Sequence, residues 1–125
     1  MTPFDVLGTE RIQALAARFY EVMDETEPAL ARLHPLDPDG RVAQANRDRF
    51  AMFLVGWLGG PQDYVAQHGH PRLRMRHGGV RVDEAMRDAW VRCMDRAMDD
   101  LGIDGDVRTY LDGRFFEVAT FLRNG

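Results

Sequence analysis

Three of the four histidines, His68, His70 and His77, fall within ten residues in the run HGHPRLRMRH. Imidazole is a favoured ligand for transition metals, so such a density raises the question of a metal site. A tetrahedral zinc set does not follow from the spacing. His68 and His70 are separated by one residue beside Gly69 and Pro71, and no cysteine or paired carboxylate stands nearby to complete the set. Surface histidines making ordinary hydrogen bonds are the bland alternative.

The cations of the same run point to a different chemistry. Arg72, Arg74 and Arg76 place guanidinium groups beside His77. Such groups could hold carboxylates next to a metal ligand, and haem presents two propionates in that relation to its iron. A solvated basic strip that offsets an acidic surface is the other reading of these arginines. Two hydrogen-bond donors also need an account. Trp90 lies in a methionine-rich apolar stripe that reads as core packing, yet its indole N–H requires an acceptor. Tyr20 carries a hydroxyl one position from an apolar stripe, either reaching solvent or projecting into a cavity. Other chemistries are quickly exhausted. The chain has no serine and no glycine-rich phosphate loop, so a serine triad is excluded. Cys93 sits on an apolar helix face beside Trp90 and Met94 and reads as an inert buried thiol. Glu21, Asp24 and Glu25 fall on the polar side of their helix and are expected to face water.

The elements that must position these groups are helical wherever the hydrophobic spacing is regular. Ile12, Leu15, Ala16, Phe19 and Met23 recur at three- and four-residue steps, with Thr9 as the expected N-cap and Pro28 beyond the end. A second helix is predicted from about Arg41 to Leu58, with Phe50, Phe53, Leu54, Trp57 and Leu58 on one side, stopping at Gly59-Gly60-Pro61. A third begins near Asp83 and carries Met86, Ala89, Trp90, Cys93, Met94, Ala97, Met98 and Leu101. A fourth, from about Asp106, uses Val107, Tyr110, Leu111, Phe115, Val118 and Leu122. Two irregular segments remain, Pro28 to Gly40 and the Gly-, His- and Arg-rich Gly59 to Gly79. No period-two alternation is sustained, so no sheet is expected.

Bulk properties narrow the class. A chain of 125 residues with 45% hydrophobic and 10% aromatic residues suits one compact α domain. A net charge of -4 gives no electrostatic reason to expect a nucleic acid as partner. The single cysteine fits a reducing compartment. The start MTPFDVLGTER shows no secretory signal, and no apolar run approaches the roughly 20 residues that span a bilayer. The expected location is the cytoplasm, with no membrane partner.

The segments FYEVMDE, LHPLD, FLVGWLGGP, YVAQHGHPRLRMRH and RDAWVRCMDRAMDD resemble, in order and spacing, the group II truncated haemoglobins. The likeness runs from about Phe4 to Leu122 and is most specific in WLGGP followed by HGHPRLRMRH. It implies an all-α, globin-like, two-over-two helical sandwich, one truncated globin domain over residues 1–125, around haem b. His77 matches the proximal histidine whose Nε2 would ligate iron. Arg74 is the preferred propionate partner, with Arg76 and Tyr64 beside it and Phe53 and Trp90 also against the haem. Tyr20, His34, Asn46, Phe50 and Trp90 match the distal ligand pocket, Tyr20 and Trp90 as donors to bound ligand. Two departures stand out. Phe50 occupies a place where a smaller aliphatic residue is usual, which would tighten the distal pocket. After His77 the chain reads GGVRV where a proline-phenylalanine pair is common, which would leave the proximal histidine less firmly oriented.

The resemblance implies a pentacoordinate iron that reversibly binds oxygen or another diatomic ligand. Carbon monoxide, nitric oxide and peroxide are the other small ligands, and an unidentified reductase is an implied partner. An enzyme acting as a nitric oxide dioxygenase or with peroxidase-like activity is the alternative function. A globin-like module without haem is a third.

Overall fold

A computed structural model of the chain describes residues 1–69 and 81–123. The first helix, α1, spans Pro3–Thr26. Its cap is reciprocal: the Thr2 hydroxyl accepts from the Asp5 N–H at 3.2 Å, and the Asp5 carboxylate accepts from the Thr2 N–H at 2.8 Å. Pro3 occupies the first turn, where its missing N–H costs nothing. This cap opens a short helical piece ahead of the helix expected from Thr9. Gly8, at φ 79° and ψ 166°, leaves the helical conformation, so α1 is two helical pieces joined by a kink, and the first of them buries Leu7. The stripe of Ile12, Leu15, Ala16, Phe19 and Met23 is at most 1% exposed and forms the centre of the core.

After α1 come a short α2, Pro28–Ala31, and an extended connection in which Leu36 and Val42 form an antiparallel bridge. The helix expected from Arg41 begins later, as α3, Gln44–Trp57. Val42 is held by that bridge and is buried, so the chain turns into the helix only beyond it. A further short helix, α4, Asp63–His68, lies within the stretch expected to be irregular. The third predicted helix is α5, Glu84–Asp100, capped as expected by Asp83, whose side chain accepts from the Met86 N–H at 2.9 Å. The last is α6, Gly105–Phe121, with Leu111, Phe115 and Ala119 inside.

Helix α1 packs against both α3 and α5, α4 lies on α3, and α6 lies on α5. Among the described residues there is no strand, and no helix is long and apolar enough to cross a membrane. The turn between α3 and α4 is fastened to the start of α1. The Phe4 N–H donates to the Leu58 carbonyl at 2.9 Å. A Cβ on Gly60 would fall 2.5 Å from the Phe4 ring, and one on Gly59, at φ 108°, would fall 2.6 Å from Thr2. Close approach requires both glycines, and Gly59 is required by its backbone angle as well.

Candidate functional site

The four long helices enclose a cavity of about 450 Å³, within the range of about 300–1,000 Å³ that small-molecule sites occupy. Helix α1 contributes Tyr20; α3 contributes Asn46, Arg49, Phe50, Phe53, Leu54 and Trp57; α4 contributes Tyr64. The opposite wall is Met86, Arg87 and Trp90 from α5 and Phe115, Val118 and Ala119 from α6. Leu33, His34 and Pro35 close one end from the connection after α2.

The walls are aromatic and mutually braced. The Phe19 ring lies under the cavity floor with its centroid 5.0 Å from Tyr20, 5.3 Å from Phe50 and 5.1 Å from Trp90. Phe50 meets the edge of Tyr20 at 5.5 Å, Phe53 meets Tyr64 at 5.6 Å, and Phe115 meets Trp90 at 5.8 Å. Edge-to-face and offset pairs at these distances add to the burial of the rings and fix their planes. A flat apolar-faced ligand is the kind of molecule such walls accommodate.

The polar groups are few and directed. Tyr20 is 4% exposed, and its hydroxyl oxygen accepts from the Asn46 side-chain amide at 3.1 Å. Because Asn46 supplies the proton of that bond, the Tyr20 O–H proton is left to donate elsewhere. Burial pushes the Tyr20 phenol well above its ordinary range, with the Arg47 cation and the Asn46 bond opposing in part. The hydroxyl is therefore a neutral donor at any physiological pH. His34 sets the edge of its ring against Tyr20 at 5.8 Å, and its Nδ1 donates to the Leu30 carbonyl at 3.1 Å, which fixes the proton on that nitrogen. Trp90 lines the cavity, and no acceptor among the described residues takes its indole N–H.

The structure brings Tyr20, His34, Asn46, Phe50, Phe53, Tyr64 and Trp90 to this one cavity. His77, Arg74 and Arg76 lie outside the described residues, as do His70 and Arg72. Among the described residues no cluster of histidine, cysteine or acidic side chains could hold a metal ion. Of the two options left for Tyr20, the cavity is the one realised. Cys93 is 0% exposed, and burial raises its thiol to about 12, so it is protonated and inert at neutral pH. The expectation that Asp24 faces water is corrected: its side chain is 13% exposed and paired with Arg47 of α3. Arg49, Arg87 and Val82 also line the cavity and were not singled out from the sequence. For Met86, Val118 and Leu122 the helical period gives the apolar face but not which part of that face meets a cavity. For the Asp24–Arg47 pair, 23 residues apart, no local pattern exists to be read.

A family model described as bacterial-like globin matches residues 2–123. The chain is 35% identical over 122 residues to the group 2 truncated hemoglobin YjbI of Bacillus subtilis (strain 168), a match covering 98% of this chain and 88% of that protein. Among solved structures, the cold-adapted truncated hemoglobin of the Antarctic marine bacterium Pseudoalteromonas haloplanktis TAC125 superposes with a TM-score of 0.90 at 38% identity, covering 100% of this chain and 99% of that one. The truncated oxygen-avid haemoglobin of Bacillus subtilis superposes with a TM-score of 0.88 at 34% identity, covering 99% and 100%. The two-over-two globin-like sandwich implied by the sequence is the architecture of this chain.

Proposed function

The chain belongs to the bacterial-like globin family, a family of haem proteins, and on that premise we propose that it holds haem b in the cavity between α1, α3, α5 and α6 and reversibly binds oxygen. The observation that carries this reading is the convergence of two donors, the Tyr20 hydroxyl and the Trp90 indole N–H, on one cavity with aromatic walls. The cavity fits the group on its chemistry. Its walls are flat rings and aliphatic side chains, its donors Tyr20 and Trp90 face it from opposite walls, and Trp90 has a donor with no partner among the described residues.

When bound, haem supplies a ferrous iron that accepts a diatomic ligand and pushes electron density onto it. The rest is the work of the chain's own residues. His77 is the residue proposed to hold the iron, with Arg74, Arg76 and Tyr64 beside the propionates and Phe53 and Trp90 against the ring. Tyr20 and Trp90 donate to the ligand, Asn46 keeps the Tyr20 proton directed, and His34 and Phe50 close the space around it. Donors fixed in advance and shielded from water stabilise negative charge as an oxyanion hole does. Each charge-assisted bond contributes about 1.5–3 kcal/mol, roughly a tenfold or greater slowing of ligand loss. Two such donors favour tight, slowly released oxygen, suited to storage or chemistry; a Bacillus subtilis relative is itself described as oxygen-avid. Keeping the iron ferrous calls for a reductase, and the proposed place of work is the cytoplasm.

The test is the absorption spectrum of the purified protein, ferric and then ferrous with carbon monoxide, beside His77→Ala. A sharp haem band that shifts with carbon monoxide in the parent and is weakened or altered in the variant is expected. No band after reconstitution with haem would overturn the proposal.

A further inference from the structure

Beneath Tyr20, away from the ligand side, Asp24 and Arg47 form an ion pair whose side chains are 13% and 14% exposed. Arg47 Nη2 donates to one Asp24 carboxylate oxygen, and the other accepts from the Val42 N–H at 3.1 Å. Arg47 Nε donates to the Val42 carbonyl at 2.8 Å. Both polar groups of the Val42 backbone are thereby taken, so the end of α1, the connection after α2 and the first turn of α3 meet at one point. Asp24 lies four residues beyond Tyr20, on the same face of α1. Arg47 directly follows Asn46, the residue that donates to the Tyr20 hydroxyl. The Arg47 guanidinium carbon is also 5.7 Å from the centroid of the Tyr20 ring.

A tether alone does not need this chemistry. Removing a charged pair from water costs as much as it returns unless geometry is demanding, and apolar residues of similar volume hold helices together as well or better. What a bonded ion pair adds is direction. Its planar fork accepts one rotation of α3 about its axis and refuses the neighbouring ones. That rotation decides where the Asn46 amide lies.

Resting on the reading of Tyr20 as the donor to bound ligand, we propose that Asp24 and Arg47 are positioning residues for the Tyr20 hydroxyl: they fix Asn46 on the phenol oxygen so that the tyrosine proton is presented to the cavity. Without the pair, α3 rotates, Asn46 leaves the phenol oxygen, and the hydroxyl is free to turn its lone pair toward the ligand in place of its proton. The Arg47 cation by the ring acts in the same sense, since it opposes the effect of burial and makes the phenol a better donor.

The experiment uses haem-loaded protein with Arg47→Met, Asp24→Asn and Arg47→Lys, each made in the parent and in Tyr20→Phe. Three quantities are read: the infrared stretch of bound carbon monoxide, the oxygen dissociation rate and the melting temperature. In the parent, Arg47→Met and Asp24→Asn are expected to move the carbon monoxide band toward its position in Tyr20→Phe. They should speed oxygen loss about three- to tenfold, the size of coupling seen between members of one hydrogen-bond network. In Tyr20→Phe the same changes should alter neither quantity. Arg47→Lys, which keeps the charge and loses the fork, should restore the band in part. Asp24→Asn keeps its shape and still accepts from Val42, so it carries the test if Arg47→Met fails to fold.

A fall in melting temperature with an unmoved band in the parent would overturn the proposal and leave Tyr20 as donor. Equal changes in both backgrounds would overturn it as well, because the effect would then bypass the tyrosine. If Tyr20→Phe, with no second change, keeps the band and rate of the parent, the donor and the proposal fall together.

Discussion

The two sides of the cavity present their donors in different ways. On the α1 and α3 side, Tyr20 is fixed by polar bonds: its hydroxyl is engaged by Asn46, and the Asp24–Arg47 pair lies beneath it. On the α5 side, Trp90 is fixed by packing between the Phe19 and Phe115 rings, and Ala89, Cys93 and Met94 of the same helix are buried. No hydrogen bond with a described residue directs the indole. A polar network sets a donor's direction and is sensitive to the loss of any member. A packed ring sets a plane and leaves the N–H to whatever enters. The molecule thus joins one donor oriented in advance to one that is merely placed.

The change expected to have the largest effect removes the element common to both sides. Phe19 touches Tyr20, Phe50 and Trp90, so Phe19→Ala should cost about 3–5 kcal/mol in denaturant unfolding and erase the difference between the walls. Unfolding that is nearly unchanged would mean the rings are braced from elsewhere. Next in size are Tyr20→Phe and Trp90→Phe, each expected to speed oxygen dissociation about tenfold in stopped flow. Stability should separate them. Tyr20→Phe deprives the Asn46 amide of its acceptor and should cost about 1 kcal/mol, whereas Trp90→Phe breaks no such bond. Equal losses of stability would dissolve the contrast.

The last effect is confined to alkaline pH and concerns the Cys93 thiol, one helical turn from Trp90. Burial raises Cys93 from 9.0 to about 12, so the folded state keeps a proton that the unfolded chain gives up above about pH 9. The resulting contribution to stability is complete below pH 9 and declines as pH rises toward 12. The melting temperature of the parent should therefore fall above pH 9 more steeply than that of Cys93→Ala. At pH 8 a thiol reagent should label Cys93 only at the rate of unfolding.

The long helices were legible because each buries a stripe that repeats at the helical period, as Ile12 to Met23 does in α1. Their beginnings were less so. Thr9 has the chemistry of a cap and lies directly after Gly8, whose φ of 79° breaks the helical backbone; the piece before it, capped by Thr2, is too short to display a period. Helices α2 and α4, of 4 and 6 residues, are too short to display a period at all. For the site, the resemblance pointed to the lining residues Tyr20, His34, Asn46, Phe50, Phe53, Tyr64 and Trp90, which the cavity gathers. Neither composition nor spacing pointed to Asp24. A carboxylate on the polar side of a helix reads as solvated until a distant arginine is known to meet it.

Helix α1 also has a consequence for the order of events during synthesis. Its apolar stripe is closed by α3 and α5, and its Arg18 is bonded to Asp100 across 82 residues. A ribosome adding about 5–20 residues per second would need roughly four to fifteen seconds after finishing α1 to complete the helix that covers it. Through that interval Ile12, Leu15 and Phe19 have no native partner on α5. The surface that becomes the centre of the core is then the surface that a nascent-chain chaperone would meet, and chains cut short of α5 should be lost readily to proteolysis.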